Sequence, residues 1–111
     1  MDLQILILIF VLHFVADFVL QTDDMALNKS SSNYWLTVHA VVYSLTFAIF
    51  FGPLYALING VLHWVTDYTT SRIAAHFYKN NKRSLFFQTI GFDQMIHMVT
   101  LTATYHWMFL S

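Results

Sequence analysis

The stretch Asn59-Gly-Val-Leu-His63-Trp-Val-Thr-Asp67 sets an imidazole and a carboxylate one helical turn apart inside an apolar run. A helix rises about 1.5 Å and turns about 100° per residue, so positions i and i+4 stack on one face. The same pair recurs as His13 and Asp17, and in reverse order as Asp93 and His97. Each pair is a short polar stripe on an otherwise apolar helix. Three such stripes in so small a chain point to a shared site.

Outward from that stretch, composition sets the expected surroundings. The chain has 111 residues, 58 % hydrophobic and only 10 % charged, against about 25 % charged in ordinary soluble domains. That imbalance predicts a bilayer as the solvent. Four apolar runs, about 3–21, 34–52, 54–78 and 85–110, are separated by the polar segment 22–33, by Gly52-Pro53, and by Lys79 to Arg83. Each is close to the roughly 20 residues that cross a hydrocarbon core of about 30 Å. The expected fold is an all-α integral membrane protein, a single domain over 1–111 built as a four-transmembrane-helix up-down bundle. Lys29 and the group Lys79, Lys82 and Arg83, with Arg72 close by, fall on the same side of such a bundle. The positive-inside rule puts that side in the cytoplasm and both termini on the outer side. The expected location is the bacterial inner membrane, multi-pass, with membrane lipid as a partner. Asp2 before the first run and Asp17 within it argue against a cleaved signal peptide.

Composition also excludes some function classes. A formal net charge of −1 without a basic stretch excludes nucleic acid as the main partner. The absence of Cys removes disulfides, thiolate zinc sites and thiol catalysis.

In the up-down arrangement the last helix runs opposite to the first and third, and it is the one whose motif is reversed. All three Asp then lie toward the cytoplasm, with their His partners about 6 Å nearer the midplane. The second run adds His39. The expected site is a layer of Asp17, Asp67, Asp93 and His39 with His13, His63 and His97 above it. Three carboxylates held together repel unless protonated or neutralised. A divalent metal (zinc, iron or manganese, one or two ions) is the simplest neutraliser, imidazole and carboxylate being its usual ligands. Gln21, Asn59 and Thr89, one turn along the stripes, would support the ligands, and Tyr43 extends the His39 stripe. Lys29 and Arg72 would hold the anionic group of an amphipathic or anionic small-molecule substrate.

Three functions follow from that layout. One is a metal-dependent hydrolase acting from the cytoplasmic side on a lipid-like or phosphoester substrate, with an Asp or His outside the ligand set as general base. Another is a metal-ion or proton carrier or channel. The third is a metal-stapled membrane interaction module without catalysis. A homo-oligomer suits any of them. The nearly apolar segments Ile5 to Val11 and Tyr43 to Phe51 suit a dead-end cavity better than a conduit. A single pair would be explained by a local hydrogen bond that aids packing.

The residues His13-x-x-x-Asp17-Phe-x-Leu-Gln21-Thr, Asn28-Lys29-Ser with Trp35 and His39 following, His63-x-x-x-Asp67-Tyr and Asp93-Gln94-x-x-His97 resemble the domain-of-unknown-function family 3307 of small bacterial and phage membrane proteins. The resemblance covers nearly the whole chain and implies an integral membrane fold without an established activity. The family pattern often carries a second His one turn after His39, where this chain has Tyr43. More distantly, the His-x-x-x-Asp pairs look like those of proteins classed as membrane-bound metal-dependent hydrolases, which implies a metal-assisted hydrolysis.

Overall fold

Local capping chemistry marks where each helix starts. The Asp2 carboxylate accepts the Gln4 backbone N–H at 2.8 Å and opens α1, Leu3–Phe14. The computed structural model describes residues 2–110. Beyond Phe14 the backbone slips into a π-helical turn, Val15–Val19, closed by Leu20 N–H donating to Val15 O at 2.8 Å. Thr22 Oγ1 accepts from Met25 N–H and starts the short α2, Asp23–Asn28. Ser32 Oγ accepts from Trp35 N–H and starts α3, Asn33–Phe51. Gly52, at φ +89°, then turns the chain, a conformation that Cβ-bearing residues rarely hold. Pro53 supplies the preset φ of a first helical residue and begins α4, Pro53–Lys79. After Asn81 at φ 59°, α5 runs Arg83–Tyr105 and ends in a second π-helical turn, His106–Leu110.

The element that organises the packing is α4, which lies along both α3 and α5, while α1 contacts α3 and α5. Gly60 explains how α3 and α4 approach so closely. A Cβ there would sit 2.9 Å from Ser44 Cβ, and Ser44 Oγ donates to Ala56 O across the same seam at 2.7 Å. An apolar cluster of Ile9, Leu12, Ala16, Tyr43, Phe47, Tyr55, Ala56 and Leu101 fills the interior. Tyr55 keeps its hydroxyl satisfied there by donating to Leu101 O at 2.8 Å.

The all-α expectation holds, but the four-transmembrane-helix bundle does not. The described residues form five α-helices, and among them only Asn33–Phe51 is both long and apolar enough to cross a membrane. Two physical reasons defeat the wider expectation. The run 3–21 falls short in length: α1 and the π-helical turn that continues it cover only Leu3–Val19 before the break that leads to α2. The long helices α4 and α5 fall short in apolarity instead. Thr66, Thr69, Thr70, Ser71 and Arg72 follow one another around Asp67, and Gln88, Thr89 and Gln94 surround Asp93. The multi-pass location, and the placement of both termini on the outer side, fall with the bundle. Exposed apolar side chains occur on every long helix, among them Ile7 of α1, Ile49 of α3, Leu57 of α4 and Val99 of α5.

Candidate metal centre

Asp17, His39, Asp67, His63, Asp93 and His97 come from the π turn, α3, α4 and α5, and all six are buried. The i, i+4 spacing places each His of α4 and α5 over its Asp. His63 Nε2 lies 3.3 Å from Asp67 Oδ2 and His97 Nε2 3.1 Å from Asp93 Oδ2. Asp17 sits in the π turn itself, where backbone bonding is i to i+5; such turns inside helices often re-aim a functional side chain. It points to His39, whose Nε2 is 2.8 Å from Asp17 Oδ1. Asp67 is the hub. Its Oδ2 also faces His39 Nε2 at 3.5 Å, its Oδ1 faces His97 Nε2 at 3.4 Å, and Lys29 Nζ donates to Oδ2 at 3.1 Å.

Three of these six nitrogen–oxygen separations, at 3.3–3.5 Å, are long for hydrogen bonds. Among the described residues neither ring nitrogen of His63 has a hydrogen-bond partner, although the ring is 1 % exposed. A buried polar atom left so costs about 1–3 kcal/mol. The separations match something else. Donor atoms about 2.0–2.2 Å from a common zinc ion, arranged tetrahedrally, stand roughly 3.3–3.6 Å apart. Asp17, His39, His63 and Asp67 each offer a ligand atom, all within 4.8 Å of one another, and so do Asp17, Asp93 and His97. These buried groups could hold a metal ion.

Electrostatics separates the histidines of the cluster. Burial alone would push the Asp17 carboxyl up, but the His39 hydrogen bond outweighs it and holds it well below the usual carboxylate range. Burial pushes His63 down, toward the neutral imidazole that ligates metals. Burial would lower His97 too, yet its contacts with Asp67 and Asp93 raise it to about 9. Asp67, despite its burial, is held well below the usual carboxylate range as well by its contacts with His63 and His97, so Asp17 and Asp67 both favour the charged form beside Lys29.

His13 stands apart from the other three His of the cluster. Its Nε2 is 2.6 Å from Gln94 Oε1 and its Nδ1 3.2 Å from the Tyr43 hydroxyl. With the amide so oriented, Nε2–H donates to Gln94 and Nδ1 accepts from Tyr43, so both nitrogens are used. Tyr43 also stacks on His63, ring centroids 3.9 Å apart, filling the place beside the cluster. Gln21 lines the cleft described below, its Oε1 buried without a partner among the described residues. Thr89 lines it as well, its hydroxyl donating to Leu85 O. Asn59 lies elsewhere, donating to Tyr55 O and Thr104 Oγ1 in the aromatic core. Arg72 is turned outward, its guanidinium 3.8 Å over the Tyr68 ring and 2.8 Å from Asn33 Oδ1.

Two contributors escape the stripe logic applied to His and Asp alone. Thr70 Oγ1 donates to Asp93 Oδ1 at 2.5 Å, and Gln94 Nε2 donates to Asp17 Oδ2 and Asp93 Oδ2, both at 3.1 Å. Their signal was present: Thr70 is i+3 from Asp67, and Gln94 is i−3 from His97, on the same faces.

A cleft of about 500 Å³ opens onto this cluster, with Asp17, Asp67, Asp93, Gln94 and Lys29 among its lining and Phe18, Leu27, Tyr78, Phe86 and Ile90 on its walls. The model of one family, described as a protein of unknown function (DUF3307), matches residues 5–111. The chain belongs to that family. No curated protein and no solved structure matches it. The further likeness to membrane-bound metal-dependent hydrolases finds no support in these comparisons, so any activity must be argued from the side chains.

Proposed function

We propose that this protein is a metal-dependent hydrolase whose resident ion (zinc, iron or manganese) is held by Asp17, His39, His63 and Asp67, and that its substrate is an anionic, amphipathic ester such as a phosphoester. The observation that carries the reading is His63. It is a fully buried imidazole without a hydrogen-bond partner among the described residues, with carboxylate oxygens of Asp67 and Asp17 at 3.3 and 3.7 Å from its Nε2. A divalent ion there supplies Lewis acidity toward a phosphoryl or carbonyl oxygen and toward the attacking water.

The chain's own groups supply the rest. Asp17 is bound by His39, and Asp93 by Thr70, so both carboxylates are fixed before substrate arrives. Lys29, 18 % exposed, sits where the cleft meets the cluster and can leave Asp67 to pair with an anionic group. The apolar cleft walls suit the hydrocarbon part of the same substrate. Behind the His residues lie Ile9, Tyr43, Phe47, Tyr55 and Leu101, an apolar backing that supports a closed site over a conduit.

The test is elemental analysis of the purified protein, followed by turnover of bis(p-nitrophenyl) phosphate before chelation, after it, and after re-addition of Zn²⁺, Mn²⁺ or Fe²⁺. Co-purifying metal and turnover that follows the metal are expected. Protein that takes up none of the three ions refutes the metal reading. Metal-loaded protein inert toward phosphoesters and carboxylic esters refutes the hydrolase reading.

A further inference from the structure

Asp17 belongs to both sets of prospective ligands, and its two oxygens face different ways. Oδ1 faces His39 Nε2 and His63 Nε2, at 2.8 and 3.7 Å. Oδ2 faces Gln94 Nε2 at 3.1 Å and His13 Nε2 at 3.7 Å. Asp67 is divided in the same manner: Oδ2 is turned to His39 and His63, Oδ1 to His97. One oxygen to each side is what a carboxylate bridging two ions requires.

We propose a second cation site beside the first, formed by Asp93 and His97 with Asp17 as the shared carboxylate. It rests on the metal reading above and extends it to a two-ion centre. The three side chains are 7 %, 1 % and 3 % exposed respectively. The position is already marked by a donor: the Gln94 amide nitrogen, which carries partial positive charge, lies 3.1 Å from both Asp17 Oδ2 and Asp93 Oδ2. A cation between those oxygens takes over that role, and Gln94, on the cleft lining, gives up its two carboxylate contacts. Two ions about 3.5–4 Å apart clamp both the attacking and the leaving oxygen of an in-line displacement. Together with Lys29 they outweigh the three carboxylates, which leaves positive charge for a phosphoester.

The experiment loads the full chain with Mn²⁺, removes excess ion, and measures Mn per chain by elemental analysis and exchange coupling by electron paramagnetic resonance. Two Mn per chain with a coupled spectrum are expected. In Asp93→Asn one Mn per chain should remain, with the spectrum of an isolated ion, while the metal-free variant melts like the metal-free parent. His97→Gln serves as the second variant should Asp93→Asn not fold, with the same expectation. One Mn per chain in the parent at saturation overturns the second site and leaves the first. No Mn at all overturns the metal reading itself. Two Mn retained in both variants also overturns this assignment.

Discussion

Replacing Asp67 by Asn removes one negative charge and one ligand while keeping size and an oxygen that can accept from Lys29. Asp67 faces His39, His63 and His97 at 3.3–3.5 Å and Lys29 at 3.1 Å, so the change reaches three histidines of the cluster at once. Binding of a structural zinc ion is worth about 10–16 kcal/mol. Shared among four donors that is about 2.5–4 kcal/mol each, so losing one weakens Kd by roughly 10²- to 10³-fold. The readout is thermal or denaturant unfolding with and without metal. At a free ion concentration of 100 times the parent Kd, binding stabilises the parent by about 2.7 kcal/mol. The same concentration is then only about 0.1 to 1 times the Kd of Asp67→Asn, which leaves less than about 0.5 kcal/mol. The metal-dependent shift should therefore all but vanish, while the metal-free unfolding midpoint serves as the control for folding. An equal metal-dependent shift in parent and variant would refute the reasoning, because it would mean Asp67 is no ligand.

Lys29→Met should leave metal content intact, since an ammonium beside Asp67 opposes a cation. It should lower kcat/KM for an anionic ester by about 10- to 100-fold, the equivalent of one charge-assisted hydrogen bond; unchanged kcat/KM would remove Lys29 from substrate binding. Gly60→Ala should destabilise the fold, because its Cβ would meet Ser44 Cβ at 2.9 Å. Overpacking costs about 1–3 kcal/mol and outweighs the gain of up to about 1 kcal/mol from alanine's helix propensity, so the melting temperature should fall by several degrees.

Part of this architecture could be read without coordinates. Helical periodicity is a local property, so His63 over Asp67 and Asp93 below His97 follow from spacing alone, as does an all-α chain from its long periodic runs. The capping residues Thr22 and Ser32 are likewise local, each a side-chain oxygen beside the first free N–H groups of a helix. The same reasoning failed where it counted apolar residues over whole runs. It could not register that backbone hydrogen bonding slips at Val15 and that the helix ends after Val19. It also gave too little weight to the threonines and amides of α4 and α5, which serve the cluster at the cost of apolar character.

What only the tertiary structure decides is which groups meet, and through which atoms. Asn59 and Arg72 lie on α4 with His63 and Asp67, yet one enters the aromatic core and the other stacks on Tyr68, because a side chain's direction around α4 acquires meaning only once α3 and α5 are packed against it. His13 is bound at both nitrogens by Tyr43 and Gln94 from two other helices, and no spacing within α1 could show that. The sequence by itself determined the stripes, since i and i+4 share a face in any helix. Their convergence on Asp17 and Asp67, oxygen by oxygen, depends on contacts between residues distant in the chain, and those exist only in the folded molecule.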